Sequence, residues 1–160
     1  MPSMTHEKED RMSVRTNTQT VQQVYENLGA LGRARTKRPD MTPLLSLYSD
    51  DVEWHVPAME NVPFAGPRRG IAAVRDFFAA VTEGLDVLQF EPHEYIAQGD
   101  KVVALGRYSW RVKATVREFS SDFAHVCTIR DGKIVRFHEY MDTAAEIRAH
   151  KKRRTRAASS

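Results

Sequence analysis

With 160 residues, 41% hydrophobic and 28% charged, the chain has the size of one domain around one core, and two separate domains would each be too small. No apolar run nears the ~20 residues of a membrane span, Met1 to Asp10 lacks a signal-like apolar stretch, and the single cysteine, Cys127, rules out an intramolecular disulfide, so a cytoplasmic protein is expected. The formal charge of +3 arises from two basic clusters, Arg33 to Arg38 and His150 to Arg156, which lack interleaved aromatic residues; they read as solvated surface, and nucleic acid is not an expected partner.

Residues 1–16 are polar and aperiodic and are expected to be a disordered leader. Val21, Val24, Tyr25, Leu28 and Leu31 recur at helical spacing, which predicts a helix from Thr18 to Gly32. Thr42 before Pro43 predicts the cap of a short helix running to Tyr48, and alternation of Val52, Trp54 and Val56 with polar residues predicts a strand. Pro57, Pro63, Gly66 and Pro67 predict a loop, after which Gly70 leads into a helix carrying Ile71, Val74, Phe77, Phe78 and Val81. Strands are then predicted over Val87 to Ala97, bent at Pro92, and over Lys101 to Lys113, Glu118 to Ile129 and Lys133 to Met141. Asp142 caps a last short helix that reaches Ile147. Helices first and antiparallel strands after them read as α+β, with the helices over one face of a curved sheet. The folded domain is expected over 17–149, followed by a basic disordered tail over 150–160.

The last hairpin decides which side chains share a face. A three-residue loop at Arg130-Asp131-Gly132, with Gly132 left-handed, would pair Ile129 with Lys133, Cys127 with Val135, His125 with Phe137 and Phe123 with Glu139. One face then collects Phe123, His125, Cys127, Ile129, Val135, Phe137, Glu139 and Met141, with His125 and Glu139 as diagonal neighbours. A two-residue turn would set His125 against His138 and scatter the apolar residues, so the first register is preferred. By parity Tyr108, Trp110, Trp54 and Val56 also point inward, giving aromatics with a few polar groups, the composition of a small-molecule pocket.

These residues resemble the nuclear-transport-factor-two-like superfamily, and most closely its SnoaL-like and ketosteroid-isomerase-related members. The resemblance rests on Leu47-Tyr48-Ser49-Asp50-Asp51-Val52-Glu53-Trp54 with Pro57, on Gly66-Pro67-Arg68-Arg69-Gly70 leading to Phe77-Phe78, and on Asp131-Gly132-Lys133-Ile134 running to Glu139-Tyr140-Met141-Asp142. It implies a cone-shaped antiparallel sheet with helices over its concave face, a cystatin-like roll, and a homodimer through outward strand faces that include Val126, Ile134 and Tyr140. The fold hosts isomerases, cyclases, hydrolases and non-catalytic proteins, so it does not by itself name a reaction.

Carried over residue by residue, the resemblance places Tyr25 where ketosteroid isomerase has its oxyanion-hole tyrosine, and Val56 where that enzyme has its catalytic aspartate. His125 falls at the inward acidic position that cyclases use for acid/base work, and Glu139 at a catalytic aspartate of limonene epoxide hydrolase. The arginine and second aspartate of that hydrolase fall at Gly106 and Tyr108.

The expected activity is cofactor-free acid/base chemistry, isomerase or polyketide-cyclase in type, on a small hydrophobic carbonyl compound. His125, Glu139, Tyr25 and Tyr108 are the candidate catalytic groups; Trp54, Val56, Trp110, Phe123, Cys127, Phe137 and Met141 are the candidate substrate-binding residues. No spacing of His, Asp or Glu suits a metal, and no cofactor is expected. The alternatives are a non-catalytic ligand-binding or dimerisation module and an epoxide-hydrolase-like enzyme.

Overall fold

The computed structural model describes residues 4–34, 36 and 38–152. Within them the order is α1 (Met4–Arg33), α2 (Thr42–Leu45), β1 (Tyr48–Val56), β2 (Gly66–Arg69), α3 (Ile71–Gly84), β3 (Leu85–Gln98), β4 (Lys101–Val112), β5 (Arg117–Arg130), β6 (Lys133–Met141) and α4 (Thr143–His150). The strands form one curved, unclosed sheet in the order β2-β1-β6-β5-β4-β3. All neighbours are antiparallel except β1 and β6, which run parallel. This is the expected α+β architecture, with α1 packed on β3 and β4, α3 on β1 and β2, and α4 on β5.

Helix α1 begins fourteen residues before the expected Thr18, so residues 4–16 of the expected leader are helical rather than disordered. No glycine or proline interrupts the stretch from Met4 to Leu28, and Glu7 and Arg11 pair at i,i+4. The Thr16, Thr18 and Thr20 hydroxyls each donate to the carbonyl four residues back. Residues 5–13 are solvent-exposed, and burial starts in earnest with Thr20, Val21 and Val24. At the other end, His150 belongs to the fold rather than to a tail. It is buried, its Nδ1–H donates to the Glu146 carbonyl at 3.0 Å, and its ring meets that of Phe64 edge-on. Lys151 and Lys152 are exposed; the remaining tail residues, with Arg35 and Lys37, lie outside the described residues.

Three further boundaries differ from expectation. Helix α2 ends at Leu45, Tyr48 opens β1, and the N-cap position is Met41, which makes no side-chain cap bond, while Asp40 Oδ1 accepts from the Thr42 N–H at 2.9 Å. Hydrogen bonding by Thr42 holds the Asp40 carboxyl below its ordinary range. The segment Gly66–Arg69, expected as loop, is a short edge strand on β1, a place where Pro67 needs no N–H partner. Strand β3 bends as expected near Pro92, by a bulge between Pro92 and Glu94, and carries a second bulge between Val87 and Gln89.

The β5–β6 hairpin reaches its inward face by another route. Arg130 pairs with Lys133 across a two-residue turn in which Asp131 and Gly132 both have positive φ, the geometry Asp-Gly favours. A bulge follows, since Ile129 pairs with Ile134 but Thr128 with Arg136, leaving Val135 as the extra residue. The bulge restores parity, so Phe123, His125, Cys127, Phe137, Glu139 and Met141 share a face as expected. The partners are different: His125 stands directly opposite Glu139, Cys127 opposite Phe137 and Phe123 opposite Met141. Ile134, expected on the outward face, is instead 1% exposed in the core.

Candidate active site

A cavity of about 110 Å³ lies between the helices and the concave face of the sheet. Helix α1 contributes Tyr25 and Leu28, α3 contributes Phe77 and Val81, and the sheet contributes Trp54 and Trp110 among others. An apolar cavity of about 150 Å³ admits benzene, so the space as it stands is somewhat smaller than a benzene site, and a small ring needs side-chain movement to enter. Among the described residues no lysine or arginine lines it, and the ionisable groups that do are Tyr25, Tyr48, Tyr108, His125, Cys127, Glu139 and Glu146.

Three of these form a chain. The Tyr25 hydroxyl lies 2.8 Å from His125 Nδ1, and His125 Nε2 lies 2.7 Å from Glu139 Oε2. A carboxylate at Glu139 accepts from Nε2–H, which leaves Nδ1 to accept the Tyr25 proton. Direct cross-strand pairing of His125 with Glu139 sets the second bond, and the burial of Val21 and Val24 turns Tyr25 toward the sheet to make the first. Packing holds the imidazole in place: its ring stacks on Phe123 at 4.3 Å and tilts against Phe137 at 5.0 Å. His125 is 5% exposed, and burial, reinforced by Cys127, holds the Tyr25 phenol above its ordinary range.

Tyr108 stands apart from this chain. Its ring packs among Phe90, Trp110, Phe119 and Phe123, and burial raises its pKa above the ordinary range. Among the described residues no hydrogen bond reaches its hydroxyl, which faces the cavity as a free donor.

Trp54, Trp110, Cys127 and Phe137 line the cavity as expected, with Trp54 stacked on Phe137 at 4.2 Å. Val56, Phe123 and Met141, expected to bind substrate, do not line it. Val56 pairs with Gly66 at the far end of β1, and Phe123 lies beneath His125 and Phe90 as a support for their rings. Met141, opposite Phe123, packs on the core at the exit of β6. Burial pushes the Cys127 thiol up to about 12, which removes it as a nucleophile near neutral pH.

Sequence reasoning missed Glu146. It is 4% exposed, lines the cavity, and no hydrogen bond or ion pair reaches its carboxyl among the described residues. Burial, aided by Glu139, raises it from 4.5 to about 8. The signal was its spacing. A capping glutamate stands three residues after the cap, but that position is Ala145, whose N–H bonds Asp142 Oδ1 at 3.1 Å, so Glu146 one place on is free to face inward.

Residues 28–137 match the family model of the SnoaL-like domain. The chain belongs to this family. Its SnoaL-like fold, of the NTF2-like superfamily, is shared with an NTF2-like protein from Burkholderia xenovorans LB400. That protein is 32% identical, with 86% of this chain and 98% of that one covered, at a TM-score of 0.75. An NTF2-like protein of unknown function from Burkholderia pseudomallei K96243 is 26% identical, with coverages of 86% and 98% and a TM-score of 0.73. TerC, crystallised with polyporic acid, is 28% identical, with coverages of 86% and 99% and a TM-score of 0.69. No curated protein matches the chain. Within the SnoaL-like frame, the Gly106 position is closed to an epoxide-hydrolase arginine, because even a Cβ there would collide with the Phe123 ring and the Glu91 carbonyl.

Proposed function

We propose that this SnoaL-like domain catalyses cofactor-free proton transfer at a carbon next to a carbonyl, in a small, largely hydrophobic molecule. The observation that carries this reading is the unbroken Tyr25–His125–Glu139 chain, 2.8 and 2.7 Å, on the wall of an apolar cavity. Tyr25 Oη would take the substrate proton as its own hydrogen passes to His125 Nδ1. The imidazolium so formed would be balanced by Glu139, and the enolate oxygen would be met by the Tyr108 hydroxyl. Running the relay backwards onto another carbon gives an isomerisation. Attack of the enolate carbon on a carbonyl within the same molecule, whose oxygen takes up the proton held by the relay, gives the ring closure of a cyclase. That TerC was crystallised with polyporic acid supports an organic small molecule as the ligand class.

The test needs no knowledge of the natural substrate. Cyclohexanone is incubated with the protein in D2O, and exchange of its α-protons is followed by NMR. Wild-type protein is expected to accelerate exchange, Tyr25→Phe and His125→Gln to return it to the uncatalysed rate, and Tyr108→Phe to slow it by about 10²–10³. The expected pH profile of wild-type exchange follows one ionisation that Glu139→Gln displaces, a change that a purely structural pair would not produce. A second reading, a non-catalytic ligand binder, is favoured by one feature: both ring nitrogens of His125 are already satisfied within the fold. Bound cyclohexanone with no accelerated exchange would establish that reading instead.

A homodimer through the convex face of the sheet is part of the proposal, supported by the exposed Ile96 and Tyr140. Sedimentation should give twice the 18.3 kDa of one chain at micromolar concentration, and a clean monomer would refute it.

A further inference from the structure

We infer that Glu146 is a second hydrogen-bond donor of the cavity, acting beside Tyr108 on the carbonyl oxygen of a neutral, ring-sized ketone. The inference rests on the carbonyl reading above and assigns that site a residue and a ligand charge. Glu146 reaches the cavity from α4, is 4% exposed, and has no polar partner among the described residues. A buried polar group without a protein partner is costly, and the partner left to Glu146 is whatever occupies the cavity, water or a ligand atom that displaces it.

The charge of that ligand follows from the surroundings. Helix α4 packs on β5 and β4. The ionisable groups facing the cavity from these and the neighbouring elements are Tyr108 on β4, His125 and Cys127 on β5, Glu139 on β6, Tyr25 on α1 and Tyr48 on β1. Beside Glu146 on its own helix, His150 directs its Nδ1–H to a backbone carbonyl. Among the described residues no lysine or arginine lines the cavity to balance a carboxylate, whereas Glu139 is engaged with His125 and adds a second negative charge. Glu146 is therefore held as a neutral acid up to about pH 8, and a neutral acid donates. Two carboxyls with environments that separate them in this way take opposite roles: Glu139 supports the base, and Glu146 supplies the acid. A positively charged amine would demand the opposite state of Glu146, an anion in a site that disfavours one.

Cyclohexanone, with cyclohexylamine as its cationic counterpart, provides the test. Binding is read from the fluorescence of Trp54 and Trp110, the only tryptophans of the chain, both of which line the cavity. Wild-type affinity for the ketone is expected to fall about tenfold between pH 6.5 and 9.5 as the donor is lost. Glu146→Gln keeps an N–H donor and should bind within about threefold of the low-pH value at both pH values. Glu146→Leu should bind about tenfold more weakly throughout. The infrared spectrum of the ligand-free protein at pH 6.5 should show a buried carboxylic-acid band that Glu146→Gln removes. Wild-type ketone binding that ignores pH, Glu146→Leu with wild-type affinity, an absent acid band, or cyclohexylamine binding that strengthens above pH 8 would each overturn the assignment. The outcomes also separate the two levels of the reading. Absence of ketone binding at any pH overturns both, pH-independent binding with accelerated proton exchange overturns the role of Glu146 alone, and pH-dependent binding without exchange overturns catalysis alone.

Discussion

The cavity holds two sets of polar groups that differ in one respect. In the Tyr25–His125–Glu139 chain every bond between the members is made inside the protein, whereas Tyr108 and Glu146 present a hydroxyl and a carboxyl with no protein partner among the described residues. The first set contributes to the fold's stability, because each group satisfies the next in a medium where an unmade hydrogen bond is expensive. The second set detracts from it, and such groups persist where a ligand completes them. Removing a member of the first set should therefore weaken the protein, while neutralising the second should strengthen it.

The largest effect is expected from His125→Ala, which leaves both Tyr25 and Glu139 without their partner. Breaking a buried pair by removing one member costs about 3–5 kcal/mol, and chemical unfolding at pH 7 should show a loss of that order. A loss under about 1 kcal/mol would mean that water replaces the imidazole and that the chain is not integral to the fold. Next comes Glu146→Gln, with the opposite sign. The folded carboxyl titrates near 8 and the unfolded one near 4.5, so the native state binds more protons in between. Its contribution to stability is therefore fullest below pH 4.5, falls as pH rises and is flat again above about 8. Glu146→Gln removes this slope and should be the more stable protein at pH 8.5, by on the order of 2–4 kcal/mol, with little difference at pH 4.5. Parallel thermal curves at all pH values would erase the contrast between the two sets.

Smaller effects sharpen it. Tyr25→Phe keeps the ring among Phe90, Tyr95 and Phe123 and deletes only the bond to Nδ1, so a loss of about 1 kcal/mol is expected. NMR of the imidazole should show the ring losing that partner. On the convex face, Arg111 and Glu118 pair at 2.7 Å but are 40% and 55% exposed, and a double-mutant cycle should give about 0.2–1 kcal/mol, shrinking with added salt. The smallest change should follow deletion of residues 1–16. Although this stretch is helical from Met4, its residues 5–13 are exposed, and the trimmed protein should unfold within about 0.5 kcal/mol of the full chain.

Much of this molecule was legible in its sequence. Alternation placed Trp54, Tyr108, Trp110, His125 and Cys127 inward, since a strand has only two faces and mixing apolar with polar residues on both would leave no core. Helical spacing placed Val21, Val24 and Tyr25 under the sheet for the same reason. Partners were another matter. His125 was expected diagonal to Glu139 and stands opposite it, because a bulge at Val135, which no local pattern announces, compensates a two-residue turn. Glu146 lies within the helix expected after Asp142, and whether its carboxyl meets water or a cavity depends on where α4 packs, through contacts far away in the chain. Periodicity, a property of neighbours along the chain, determined which way side chains point. The meeting of Tyr25 with His125, one hundred residues apart, and the isolation of Glu146 required the tertiary structure, because burial and hydrogen-bond partnership are properties of neighbours in space.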